Sequence, residues 1–333
     1  MTNNEFSSAD HAYYGLHRLV NAEGITEKTR NGVVLAMPGL VTWTLTQPQH
    51  RVLSIRPRAN PFFHLYEAVW MLAGQNEVAT LTQFVPRMKE FSDDGQVLNG
   101  AYGKRWRTNG QLAYAISMLR NDPETRRAFI THWVPTDSYL AHAGGKDVPC
   151  NVGISFHIRT SETGGHDVLD MTVFNRSNDL VWGACGSNVV HFTMLMEYVA
   201  GCVGVALGNY TTASSNLHTY LNTQNTNGSP LPGCLYQERG VTPFPLNLHV
   251  IDPSVFLADC DACVHHAGSG FRVDDTPLYR TDWFRRVMSP AMLAWFLHRD
   301  GASHEWVDEA LARIEAADWR HVMRRYLEER RHV

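Results

Sequence analysis

Long apolar runs are missing from this sequence. None approaches the roughly 18 residues that cross a bilayer, and the most apolar helical stretch, Val189 to Gly204, is interrupted by His191 and Glu197. No membrane span is expected. Charge of one sign is also scarce: the 333 residues carry a formal net charge of -4, whereas a general nucleic-acid binder needs a strongly basic surface. Nucleic acid is therefore not the expected substrate, and any positive field must be local. The first residues, Met1-Thr2-Asn3-Asn4-Glu5, hold no basic segment leading into an apolar stretch, so the expected location is cytoplasmic. Paired cysteines are few. Cys150, Cys185, Cys202 and Cys234 stand alone, and only Cys260 and Cys263 share a Cys-x-x-Cys spacing, with His265 and His266 behind them. A structural zinc wants a second such pair. No metal is expected, the segment reads as a polar surface loop, and the thiols read as reduced.

What is present is ordinary core-forming material. A hydrophobic content of 44% over 333 residues can bury a full core, and no stretch reads as a linker, so residues 1–333 are expected to form a single domain. Asn60-Pro61 opens a segment with Phe62, Phe63, Leu65, Tyr66, Val69, Trp70 and Leu72 apolar, ending at Gly74. Proline in the first turn and glycine past the end predict a buried helix. Glu67 lies in its middle, facing either a polar cleft or solvent. Residues 128–134, 152–158 and 168–174 alternate like strands, and Ser161 to His166 reads as a hairpin turn joining the last two in antiparallel. Val189 to Val205 predicts a second buried helix. From Gln224 to Pro245 the chain is rich in Gly, Pro and Asn, and Trp306 to Arg330 predicts one amphipathic helix with a basic last turn.

The reactive residues gather at the edges of the predicted strands. Asp122-Pro123-Glu124-Thr125-Arg126-Arg127 precedes the first, Pro149-Cys150-Asn151 the second, and Asn175-Arg176-Ser177-Asn178-Asp179 follows the third. Cys150 is the candidate nucleophile. A thiol of ordinary pKa is only a few per cent thiolate near neutrality and needs neighbouring cations, which Arg126, Arg127 and Arg176 could supply. A lone cysteine is more often a small buried hydrophobe. Asn151 cannot act as a general base, so no protease-like Cys-His pair is indicated at this position.

Taken together, these motifs resemble the thymidylate synthase family, including its nucleotide hydroxymethylase branch, from about Thr29 to Asn222. The pieces come in the family's order: Lys28-Thr29-Arg30-Asn31-Gly32, Phe63 to Trp70 around Glu67, Ala101-Tyr102-Gly103-Lys104-Arg105-Trp106, Asp122 to Arg127, Pro149-Cys150, Arg176 to Asp179 with Gly183, Asn188, and His218-Thr219-Tyr220. One such match would be weak, whereas eight in order are specific. The resemblance implies an α/β (α+β) three-layer fold whose large mixed sheet packs back to back in a homodimer with shared active sites. It also implies that Cys150 adds to C6 of a pyrimidine nucleotide and that C5 then takes a one-carbon unit from 5,10-methylenetetrahydrofolate. Glu67 and its waters, with Tyr102 and Asn151, would serve the chemistry. Arg30, Arg176 and Ser177 would hold the phosphate, with Arg126 and Arg127 reaching in from the partner subunit and lowering the thiol pKa. His218 and Tyr220 would bind the sugar, Asn188 the base edge, and Asp179 and Gly183 the folate. Residues 223–333 match no family segment and read as a divergent C-terminal extension.

Departures from the synthase pattern point to the branch. Asn151 stands where synthases have histidine, and Asn178 replaces the residue usual before the aspartate. Met88 and Phe91 stand where tryptophans would wall the folate site, and the tail Glu328-Glu329-Arg330-Arg331-His332-Val333 is unlike a closing segment. Weaker exclusion of water favours a hydroxymethyl over a methyl product. The neutral Asn188 mildly favours uracil over cytosine, although one extra residue after Asp179 could bring Ser187 to the reading position.

Overall fold

The computed structural model describes residues 4–161, 165–223, 229–272 and 278–331. Ten strands are described: β1 (Asn4–Phe6), β2 (Ile25–Thr29), β3 (Gly32–Ala36), β4 (Val41–Leu45), β5 (Phe129–Thr131), β6 (Asn151–Thr160), β7 (Asp167–Asn175), β8 (Asn178–Asp179), β9 (Ala206–Ser214) and β10 (Leu217–Tyr220). A six-stranded sheet runs β1-β4-β9-β7-β6-β5 and a four-stranded one β2-β3-β10-β8. The large sheet is mixed, since β1/β4 and β7/β9 pair in parallel and the other neighbours antiparallel. The three alternating segments become β5, β6 and β7, with the expected antiparallel pairing of β6 and β7. Part of the turn between them lies outside the described residues.

Register assigns the two faces of the large sheet. The row Ile130, Ile154, Val173, Thr212 and Trp43 is buried throughout and faces the core. The next row, Phe129, Ser155, Thr172, Thr211 and Thr44, looks the other way; Phe129 is 47% exposed there and Thr44 bonds Thr211 across the strands at 3.0 Å. Ser155, Thr172 and Thr211 on that face are each partly exposed.

Two apolar helices fill the core side. In Pro61–Leu72 every residue is buried, and Asn60 caps its start by accepting from Phe63 N at 3.2 Å. Asn188–Val203 packs on it and ends at Gly204, whose φ of 85° suits only glycine well. Glu67 therefore does not face bulk solvent. Glu197, fully buried in the middle of the second helix, pairs with Arg51 and also accepts from Gln49 Nε2 at 2.7 Å and Leu246 N at 3.0 Å.

The last third of the chain wraps these helices. Helices Pro253–Ser269, Ser289–Arg299, His304–Ala312 and Ala317–Arg331 follow one another, and Trp295 and Tyr326 set their rings 5.3 and 6.1 Å from Phe62. Two expectations are corrected here. The Cys260-to-His266 stretch is helix and not surface loop: Asp252 caps it, Pro253 starts it, and Cys260 and Cys263, one turn apart, are both buried as small apolar side chains. The single helix expected over Trp306 to Arg330 is broken into two after Ala312, where Glu315 N bonds Arg286 O at 2.9 Å and Ile314 is buried.

Asp318 starts the last helix in full burial, accepting from Tyr236 OH at 3.0 Å and Trp319 N at 2.8 Å. Burial pushes its carboxyl from 3.8 up to about 6. A raised carboxyl pKa adds stability below the unfolded pKa that is lost as pH rises through the folded one, here roughly two units or about 3 kcal/mol. Asp318→Asn is therefore expected to be more stable than the parent at pH 8, the advantage shrinking toward pH 4. Urea midpoints of both proteins across that range check it, and parallel curves would contradict it.

Candidate active site

A cleft of about 360 Å3 opens between the core helices and the ends of β6 and β7. Cys150, Glu67, Tyr102, Arg30, Arg176, Ser187 and Asn188 all line it, although they come from six separate stretches of the chain. Cys150 immediately precedes β6. A β-bulge follows it, since Val152 has no partner between Asn151, opposite Asn175, and Gly153, opposite Phe174. Bulges at strand ends re-aim neighbouring side chains. Here Cys150 is the one cysteine that is not buried.

Arg176 is bound into the loop that carries Cys150. Its Nε donates to Pro149 O at 2.9 Å and Nη2 to Val148 O at 3.0 Å, its guanidinium lies 5.5 Å from the Trp133 ring centre, and Nη2 stands 3.9 Å from Cys150 Sγ. The cation is thus fixed in place. Arg30 is exposed at the turn after β2 and donates to Gly145 O and Lys146 O, both at 3.2 Å. The thiol is nevertheless pushed up: burial raises it most, Arg176 and Arg30 pull it down, and Asp147 and Asp179 push against them. This corrects the expectation of an arginine-lowered thiol. Two of the cations counted toward it, Arg126 and Arg127, are exposed outside this cleft.

Glu67 reaches the cleft from the Pro61–Leu72 helix, and His191 Nε2 stands 3.0 Å from its Oε2. His191 was visible in the sequence only as an interruption of the second helix. It lies one turn after Asn188, on the same face, and that spacing was the available signal. Tyr102 starts the Tyr102–Arg107 helix, accepts from Asn151 N at 3.2 Å and stacks against Phe192 at 5.8 Å. Asn151 itself does not line the cleft. It is fully buried behind Cys150, and its side chain bonds His132, Phe174 O and Asn175. Its expected direct part in the chemistry is therefore replaced by a supporting one.

The stretch between Asp179 and Asn188 forms a wide π-helical turn, Leu180–Ser187, with a kink at Gly186. Both Ser187 and Asn188 then reach the cleft. Asp179 caps that turn, Oδ1 accepting from Trp182 N at 2.6 Å while Oδ2 is buried without a partner. Gly183 sits against two amides: a Cβ there would come 2.7 Å from Asn178 Oδ1 and 3.1 Å from Asn188 Nδ2. Gly183→Ala is expected to leave the fold intact but to displace Asn188, raising the nucleotide KM about tenfold. Steady-state kinetics check this, and an unchanged KM would count against Asn188 as the base reader.

Ser177, Asp179, Gly183, His218 and Tyr220 border the site without lining the cleft. His218 pairs with Asp179 across β10 and β8, donates from Nδ1 to Asn216 Oδ1 over 2.7 Å, and meets the Tyr220 ring edge-on at 5.4 Å. The aromatic wall is fuller than expected. Met88 and Phe91 are joined by Trp70 and by Trp182, which lies between the Arg56 and Arg87 guanidiniums at 5.7 and 5.4 Å. Phe91 and Trp182 are still 46% and 41% exposed, leaving the wall open to water. No group of three or more metal-binding side chains occurs among the described residues.

Comparison with known proteins identifies the family. A thymidylate synthase family model matches residues 11–230. The chain is 37% identical over 324 residues to a deoxyuridylate hydroxymethyltransferase of Pseudomonas phage M6, covering 93% of this chain and 89% of that protein. It is 34% identical over 218 residues to the enzyme of that name from Delftia phage PhiW-14, covering 62% and 59%. A thymidylate synthase of Symbiobacterium thermophilum is 28% identical over 174 residues, 47% of this chain and 58% of that protein.

Proposed function

Because the chain belongs to the thymidylate synthase family, we infer that it is a one-carbon transferase that hydroxymethylates C5 of deoxyuridylate, with methylenetetrahydrofolate as co-substrate and a covalent adduct at Cys150. The observation that carries this is the convergence of Cys150, Arg176, Glu67, Tyr102 and Asn188 on one cleft. The names of the phage relatives and the residues Asn151 and Asn178 support the hydroxymethyl outcome.

As thiolate, Cys150 Sγ forms a bond to C6 of the uracil, and the C5–C6 electron pair becomes available at C5. Arg176 and Arg30 would meet the phosphate dianion, a task suited to guanidinium forks. The side-chain amide of Asn188 would accept from N3–H and donate to O4. The folate would fit the site: Trp182 and Phe91 offer flat faces in the cleft, and Asp179 at its border holds a buried carboxylate oxygen without a partner. When bound, it supplies one carbon at the oxidation level of formaldehyde. Glu67, within reach of His191, would move protons as C5 loses its hydrogen. Elimination of Cys150 and addition of water at the new exocyclic carbon complete a balanced exchange of C5–H for C5–CH2OH.

Incubation with deoxyuridylate and methylenetetrahydrofolate is expected to yield tetrahydrofolate and a nucleotide heavier by one formaldehyde. Dihydrofolate formation, read by absorbance, would instead mean methylation, and product from deoxycytidylate alone would reverse the base assignment.

We also propose a homodimer joined through the open face of the six-stranded sheet, with Arg126 and Arg127 serving the partner's site. The uncovered row through Phe129 and Thr172, and the exposure of both arginines outside their own cleft, support it. Mixed Arg127→Ala and Cys150→Ala proteins should regain part of the activity that each lacks. Residues 223–333 are read as part of the same domain, backing the helix that carries Glu67.

A further inference from the structure

A buried histidine behind the nucleophile is left unused by the reaction as drawn. His132 follows β5 and is fully buried. Its Nε2 faces Trp106 Nε1 and its Nδ1 faces Asn151 Oδ1. An indole N–H can only donate, so Nε2 must be a bare acceptor, and the ring proton must lie on Nδ1, donated to Asn151 Oδ1. That fixes the amide of Asn151, whose Nδ2 donates to Phe174 O at 2.9 Å and Asn175 Oδ1 at 3.3 Å. Burial holds the imidazole down to about 3, so it stays neutral.

The same residue grips the main chain. His132 N donates to the carbonyl of the bulged Val152 at 3.0 Å. The His132 ring stacks on Tyr102 at 5.1 Å, and the Tyr102 hydroxyl accepts from Asn151 N. The peptide that follows Cys150 is therefore held on three sides by a chain that runs from Trp106 through His132 to Asn151. We propose that His132 is a positioning residue for the nucleophile, fixing Asn151 and Tyr102 so that the Cys150 thiol is kept in its enclosed setting beside Arg176. The proposal rests on Cys150 being the nucleophile.

Two readouts test it, one independent of any substrate. Because the other five cysteines are buried, alkylation of the native protein by iodoacetamide reports on Cys150. His132→Phe cuts both bonds of the ring. Turnover of deoxyuridylate is expected to fall roughly 10- to 100-fold with KM within about threefold, while alkylation at pH 7.5 accelerates about threefold or more as the freed thiol becomes better solvated. His132→Asn, whose amide N–H takes the place of Nδ1–H, should bring both values back to within about threefold of the parent.

A purely structural role would lower the melting temperature and the soluble yield but leave turnover per folded site and alkylation unchanged, and that result overturns the proposal. A change in only one of the two readouts overturns it as well. If His132→Phe does not fold, Trp106→Phe, which removes the N–H that sets the tautomer, is read in its place, and the same two criteria apply. If the parent protein turns over no pyrimidine nucleotide, the functional assignment fails, and the alkylation comparison alone decides the positioning role.

Discussion

Cys150→Ala is expected to lower hydroxymethylation by about 10^4-fold or more, while nucleotide affinity stays within about threefold. No other thiol can take over, because the remaining five are buried. The cation should persist, because Arg176 is held by the carbonyls of Val148 and Pro149 and by the Trp133 ring, none of which depends on sulfur. Single-turnover product formation together with calorimetric binding of deoxyuridylate separates the two effects. Turnover within about tenfold of the parent would eliminate covalent catalysis. The parent thiol carries its own signature. Burial pushes it above its ordinary value, so little thiolate exists near neutrality, and alkylation of the free protein should climb steadily from pH 7 to pH 9 without a plateau. A plateau below pH 8 would mean that the arginines outweigh burial.

The parts of this fold that could be read from sequence were those with a single dominant period. Pro61–Leu72 and Asn188–Val203 are buried on nearly every side and carry their own start or stop signals, so propensity, capping and burial all agree. β6 and β7 alternate cleanly because one face of their sheet is core and the other open. The Cys260–Cys263 stretch failed because polar neighbours such as Asp261 and His265 mask a helix whose buried face is only a narrow stripe. The break after Ala312 failed because it depends on a contact with Arg286, far away in sequence. The site shows the same division. Residues in contiguous motifs, Cys150, Arg176, Tyr102 and Glu67, could be picked out, but Asn151 was misassigned because facing is not written in order along the chain. Asn151 points inward since its neighbours His132 and Asn175 come from adjacent strands. His132 and His191 acquire meaning only through those partners.

Glu197→Ala should have the largest effect on stability, a loss of about 3–5 kcal/mol. Glu197 sits with no exposure in the middle of the Asn188–Val203 helix and draws two separate segments to its carboxylate, one through Arg51 and Gln49 Nε2 at 2.7 Å and the other through Leu246 N at 3.0 Å. Removing it leaves the Arg51 guanidinium, itself only 5% exposed, with a buried charge and without the carboxylate that pairs with it. The Leu246 N–H also loses its acceptor, and a cavity opens beneath the helix. The strength of the pair is not the source of this loss, since taking two charges out of water costs nearly as much as their attraction returns. A variant that removes both charges, Arg51→Met with Glu197→Leu, should therefore lie closer to the parent than Glu197→Ala does, despite carrying two substitutions. Urea midpoints at one fixed protein concentration check the ordering, because association would otherwise shift them. If the double variant were the less stable of the two, the ion pair would be a net source of stability. The same helix presents Asn188 and His191 to the cleft, so loosening it by Glu197→Ala should also raise the nucleotide KM. The double variant, with the helix seated again, should restore that KM.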